Sequence, residues 1–239
     1  MKIKAVVFDK DGTLVDFAAY WKEVATFAAK KMFPALGVEN PDIEEHLSEL
    51  GLSSGGVDIS GALPRGDHAA MASLIYEFAK RSGSKANFDE AVRAFAEAYG
   101  REAKESGTVR PPTERLAELI AQIKNRGIIV ALITSDEPSG AEVCLQKLGV
   151  IGEFDELLAY DGVTPAKPDP AFMLKLCEKY GISPREVVMV GDTETDMLFA
   201  KNSGSFAIGL SKAKRNSEIL FSAGADAVIS DLWQLFDYL

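Results

Sequence analysis

The stretch Ile128-Ile-Val-Ala-Leu-Ile133, running directly into Thr134-Ser-Asp136, decides how this chain is read. Six consecutive apolar residues without alternation suit a strand buried on both faces, as in a parallel sheet covered by helices. Upstream, Leu116, Leu119, Ile120 and Ile123 fall at i, i+3, i+4 and i+7, a helical stripe that Gly127 stops. Downstream the alternation repeats. A helix around Ala141–Leu148 ends at Gly149, a strand lies near Phe154–Ala159, and a helix starts about Pro170 and ends before Gly181. Glu186–Val190 reads as a strand, Glu194–Ser203 as a helix closed by Gly204, and Phe206–Ile208 as a strand. One more helix, a strand at Ala227–Ile229 and a terminal helix follow. With Ile3–Phe8 at the start, this βαβ series predicts an α/β fold: a Rossmann-like, doubly wound parallel sheet with helices on both faces.

From about Phe17 to Ser106 the alternation stops and the chain reads as helical throughout. Trp21, Val24, Ala25, Ala28 and Met32 mark one apolar stripe. Met71, Leu74, Ile75, Phe78 and Ala79 mark a second, and Phe88, Val92, Phe95, Ala96 and Tyr99 a third. The expectation is a separate all-helical domain, residues 17–106, inserted into a core of residues 1–16 and 107–239. A glycine-rich loop, Gly51 to Gly66, interrupts the insert, with Arg65 as its one cation.

The 239 residues carry 26 Lys and Arg against 36 Asp and Glu, a formal net charge of −10. That balance argues against nucleic acid as a partner, since such binding relies on cations neutralising phosphates, and against an anionic membrane surface. The longest apolar runs fall far short of a membrane span. Two cysteines, Cys144 and Cys177, are too few for a disulfide framework or a thiolate zinc site and read as buried free thiols. His46 and His68 are the only histidines, which disfavours a histidine triad or a multi-histidine metal centre; surface or capping roles are expected for both. The first strand begins too early to leave room for a signal peptide. A reduced, cytoplasmic protein, monomer or homodimer, is expected.

In an open parallel sheet, ligands bind beyond the carboxyl ends of the strands. There the sequence places Asp9-Lys10-Asp11-Gly12-Thr13 after the first strand and Thr134-Ser135-Asp136 after Ile128–Ile133. Gly191-Asp192 follows Glu186–Val190, with Asp196 four residues on, and Lys167-Pro168 precedes another helix. Carboxylates so crowded cannot all ionise without a cation. An all-oxygen donor set favours Mg²⁺ over zinc. Taken singly, each residue has an ordinary explanation: an aspartate after a strand is commonly a helix cap, and a lone lysine is a solvated one. The constellation outweighs them.

These four motifs, in this order and each at a strand end or helix start, resemble the haloacid dehalogenase superfamily, specifically its phosphatases with a helical cap. The resemblance covers essentially the whole chain. It implies that Asp9 attacks phosphorus, that Asp11 acts as general acid and base, and that Thr134 and Lys167 stabilise the phosphoryl group. It further implies Mg²⁺ held by Asp9, the Asp11 carbonyl and Asp192, with Asp196 as a ligand or support. Thr13 and Ser135 are expected to assist substrate binding, and Arg65 to meet an anionic group of the substrate. Two positions depart from the pattern: Lys10 stands where an apolar residue is usual, and Asp136 where a small neutral one is. Strand alternation aims Lys10 away from Asp9, giving it a structural or supporting role. The implied activity is Mg²⁺-dependent hydrolysis of a small phosphorylated metabolite, with phosphoglycolate foremost. A sugar-phosphate mutase and a phospho-ligand sensor stay open; the presence of Asp11 excludes dehalogenases and phosphonatases.

Overall fold

The computed structural model describes residues 2–54, 56–105 and 108–239. Gly55 in the glycine-rich loop, and Ser106 and Gly107 at the expected end of the insert, lie outside the described residues. The chain divides into two units, Met1–Asp16 with Val109–Leu239, and Phe17–Thr108. In chain order, β1 (Ala5–Phe8) is followed by α1 (Phe17–Ala35), α2 (Ile43–Glu49), β2 (Leu52–Ser53), β3 (Gly56–Val57), α3 (His68–Arg81) and α4 (Phe88–Glu105). Then come α5 (Leu116–Asn125), β4 (Ile129–Thr134), α6 (Pro138–Lys147), β5 (Glu156–Ala159), α7 (Ala171–Tyr180) and β6 (Val187–Gly191). Finally α8 (Glu194–Ser203), β7 (Phe206–Leu210), α9 (Lys214–Ala223) and β8 (Ala227–Ile229) lead to the terminal helix, a 3₁₀-helix at Leu232–Asp237.

The first unit is built on one six-stranded sheet of order β5-β4-β1-β6-β7-β8, every pair parallel. Counting only these strands, that is the doubly wound order 3-2-1-4-5-6, whose direction of winding reverses between β1 and β6. Both strands are buried along their whole length because helices cover both faces. Val6, Phe8, Val130, Leu132, Val188 and Val190 share a core with Leu119, Ile120 and Ile123 of α5. The register pairs Phe8 with Leu132 on one side and with Val190 on the other. Residues just past these positions therefore emerge side by side at the switch point.

The second unit has its own core, in which Ala25, Ala28, Met32 and Phe33 of α1 meet Met71, Ile75 and Phe78 of α3. Three details differ from the sequence reading. The insert is not all helical: Leu52 and Ser53 pair antiparallel with Val57 and Gly56. Strands of two residues are too short for any periodicity to register. The stripe on α4 runs through Ala91, Phe95, Ala98 and Tyr99, while Phe88 and Ala96 are exposed. His46 is not at the surface. It is fully buried, edge-on to Phe33 with ring centroids 4.8 Å apart, and its Nε2 lies 3.3 Å from the Tyr99 hydroxyl. His68 is exposed at the start of α3, where Asp67 supplies the N-cap. Both cysteines are buried and free.

Candidate active site

Asp9 leaves β1 with its backbone N–H still donating to the Val190 carbonyl (2.9 Å), so the strand delivers its side chain to the crevice between β1 and β6. Lys167, 158 residues away in sequence, places its ammonium against Asp9 Oδ1 and, at 2.6 Å, against Asp196 Oδ1. The lysine is buried, which by itself pulls its pKa down, but Asp196 and Asp9 more than offset this and keep it protonated. Burial pushes Asp9 up to about 7, and the charges of Asp196 and Asp11 add to the shift that Lys167 opposes. One ammonium does not balance the carboxylates around it.

Asp192 follows β6 directly. Burial, then the neighbouring charges of Asp9 and Asp196, raises its pKa well above the ordinary carboxylate range. The 3.2 Å hydrogen bond from Thr13 Oγ1 does little against them. Ligand-capable atoms of Asp9, Asp192 and Asp196 all lie within 4.8 Å of one another. The donor set fits a hard divalent cation: oxygens only, negatively charged, desolvated and short of counter-charge. Glycines make the crowding possible. A Cβ on Gly12, whose φ is +83°, would sit 1.9 Å from Asp192 Oδ2, and one on Gly191 would sit 2.3 Å from the Asp196 Cβ.

Thr134 ends β4 nearly fully buried, and its Oγ1 accepts from the Asp136 N–H at 3.1 Å, leaving its own proton to donate outward. Ser135 next to it is exposed. Thr13, expected against substrate, is fully buried with its hydroxyl on Asp192, so it braces that carboxylate from beneath. Asp11 is partly exposed and paired with Lys10, which also reaches Asp136. The extra negative charge noted at Asp136 is thus matched locally. Arg65 belongs to the helical unit, half exposed, with its guanidinium 3.4 Å from Asp67.

A sequence profile of haloacid dehalogenase-like hydrolases matches residues 3–204, and so spans every one of these core positions. The chain belongs to this family. This haloacid dehalogenase-like hydrolase is 27% identical over 243 residues to phosphoglycolate phosphatase from Vibrio vulnificus, covering 99% of this chain and 96% of that one. It is 28% identical over 205 residues to N-acetylmuramic acid 6-phosphate phosphatase from Pseudomonas aeruginosa, covering 86% and 80%. In fold it is similar to a subfamily IA hydrolase of the same superfamily from Geobacter sulfurreducens (TM-score 0.69, 22% identity, 99% and 96% coverage). A Thermotoga maritima protein provisionally assigned as a beta-phosphoglucomutase is alike to a similar degree (TM-score 0.68, 21% identity, 99% and 98% coverage). The chain is an enzyme of the hydrolase class, and the phosphoric monoester hydrolases are the class with which its sequence relatives agree. No helix among the described residues is long and apolar enough to cross a membrane.

Several supports of this hydrolase site went unnoticed in the sequence. Thr193 caps α8 and donates its hydroxyl to Asp196 Oδ2 (2.6 Å), while Asp196 returns the capping-box bond. Threonine followed three residues later by an acid is a visible signature of such a cap. Asn202, two turns along α8, donates to the Pro168 carbonyl at 2.9 Å and so moors the loop that carries Lys167. Asp161 ties the start of that loop by accepting from the Val163 and Thr164 N–H groups at 2.9 and 2.6 Å. Nothing local to Asn202 signals its part, which depends on a segment 34 residues away.

Proposed function

We propose that the protein hydrolyses a small phosphate monoester through an aspartyl-phosphate on Asp9, with Mg²⁺ as cofactor. The observation that carries this reading is the meeting of Asp9, Lys167, Asp192 and Asp196 at the switch point of the sheet. Asp9 Oδ attacks phosphorus and the bond to the leaving oxygen breaks as Asp11 delivers a proton to that oxygen. Water then attacks the phosphorus of the acyl phosphate, Asp11 takes the water's proton, and inorganic phosphate departs with Asp9 restored. Lys167 neutralises charge on Asp9 and on the transferring group, and Thr134 donates to a phosphoryl oxygen.

Asp9 and Asp192, with the Asp11 carbonyl, would hold the cation, which when bound offsets the repulsion between an anionic nucleophile and an anionic substrate. Asp196 has one oxygen on Lys167 and the other on Thr193, which suits it to aligning the lysine more than to ligation. Phosphoglycolate is the foremost substrate, on the strength of the Vibrio relative's name and its full-length match.

The test is phosphate release from a panel of small esters, including phosphoglycolate, hexose phosphates and sugar-acid phosphates, with Mg²⁺ and with chelator. Asp9→Asn should lower turnover at least about 10³-fold, since the nucleophile is lost. Conversion of a hexose phosphate to its isomer without free phosphate would replace hydrolysis by phosphoryl relocation. Binding without turnover of any ester would make the site a sensor.

A further inference from the structure

Lys10 is a buried cation that the chemistry above leaves unused. It stands between the two proposed catalytic aspartates, and three carboxylate oxygens surround its ammonium: Asp11 Oδ2 at 2.9 Å, Asp11 Oδ1 at 3.1 Å and Asp136 Oδ2 at 3.1 Å. An ammonium has three donors and no acceptor, so these oxygens saturate it. Its side chain is 11% exposed, against 35% for Asp11 and 38% for Asp136. The cation lies inside and the carboxylates reach in from the rim to meet it.

Asp136 is itself fixed at three points. Its Oδ1 accepts from the Glu137 N–H at 2.9 Å, its carbonyl accepts from the Tyr160 N–H at 2.9 Å, and its own N–H donates to Thr134 Oγ1 at 3.1 Å. A continuous run of polar contacts therefore leads from the ends of β4 and β5, through Asp136 and Lys10, to Asp11. Lys10 grips Asp11 by both oxygens, which sets the plane of the carboxylate as well as its place.

We propose that Lys10, anchored by Asp136, is a positioning residue that aims the Asp11 carboxyl group at the leaving oxygen of the substrate. The proposal rests on the phosphatase reading. A half-exposed aspartate without such a grip has several rotamers open to it, and a misplacement of about 1 Å at a reacting group can cost on the order of 100-fold in rate. The competing view is that Lys10 merely staples two loops together. A staple affects all substrates alike, whereas an aimed proton donor matters most where the leaving group most needs a proton.

The experiment is therefore a leaving-group series. The ratio kcat/KM covers events up to cleavage of the ester bond, so hydrolysis of the aspartyl-phosphate does not enter it. It is measured for aryl and alkyl phosphate monoesters, from p-nitrophenyl phosphate to simple alkyl phosphates, with the wild type, Lys10→Met and Asp136→Asn. Lys10→Met should lower kcat/KM about 30-fold for alkyl esters and no more than about threefold for p-nitrophenyl phosphate, steepening the dependence on leaving-group pKa. Asp136→Asn keeps the shape and leaves Lys10 in place with one anchor fewer. It should steepen the slope in the same direction, by about fivefold on alkyl esters, and it decides the matter if Lys10→Met does not fold. An active wild type with an unchanged slope in the folded variants would overturn the positioning role alone. A wild type inactive on the whole series would sink the phosphatase reading, and this role with it.

Discussion

Gly12 shows how much of the site hangs on single atoms. Its backbone is left-handed at φ +83°, and the space a methyl group would fill is occupied by the Asp192 carboxylate. Gly12→Ala should destabilise the fold by at least about 1 kcal/mol from backbone conformation alone. It should also displace Asp192 and weaken Mg²⁺ binding. Urea unfolding gives the first quantity and titration calorimetry the second; an alanine variant with native metal affinity would contradict the crowding. Asp9, Asp11, Thr134, Lys167, Asp192 and Asp196 were all legible as candidates, because each follows a strand or opens a helix where polar side chains have no packing reason to be. What Thr13 touches was not legible, since its partner lies 179 residues away.

At the scale of elements, α8 joins two tasks. Its N-terminal capping box both satisfies backbone donors and turns Asp196 toward Lys167. Thr193→Ala should cost about 1 kcal/mol of stability as a lost cap. It should lower kcat more than KM, because Asp196 is then free to turn away from the lysine. Thr193→Ser should keep most of both, as read by urea unfolding and steady-state kinetics. In the helical unit, α2 carries His46 into the core among Phe33, Phe78 and Tyr99, where burial lowers its pKa to about 4 from 6.5 and its Nδ1 meets no hydrogen-bond partner among the described residues. Between those values the unfolded chain binds the proton that the folded one refuses. Stability therefore rises with pH across this window and is lost as pH falls from about 6.5 toward 4, by about 3 kcal/mol in all. His46→Phe should flatten that part of the stability profile; a profile that keeps its slope in the variant would show that another group is responsible. A lone histidine on an amphipathic helix carries no mark of its depth. Its burial is set by how α1, α3 and α4 pack around α2.

Over the whole molecule, the formal charge of −10 is spread widely, yet the deficit that matters is local, around Asp9, Asp192 and Asp196. A divalent cation there would bind the folded chain and not the unfolded one. Mg²⁺ at about 100 times its dissociation constant should add about 2.7 kcal/mol of stability. Chelator should remove that increment, and Asp192→Asn should abolish most of it, as followed by thermal unfolding. An equal melting temperature with and without Mg²⁺ would argue that these carboxylates hold no metal.

The sheet was readable because a strand covered on both faces must be apolar throughout, and because glycines and polar runs punctuate it. The helices of the insert were readable from their stripes, though Phe88 and Ala96 fall off the buried face of α4 and the two-residue strands escaped notice. Those are local signals, written in neighbouring residues, and they sufficed for the α/β class and for the candidate residues of the site. The strand order 3-2-1-4-5-6, the pairing of Lys10 with Asp136, the mooring of Pro168 by Asn202 and the depth of His46 came only with the tertiary structure. Each of these is a contact between segments distant along the chain, chosen by packing and charge balance over the whole domain, and no window of sequence contains both partners.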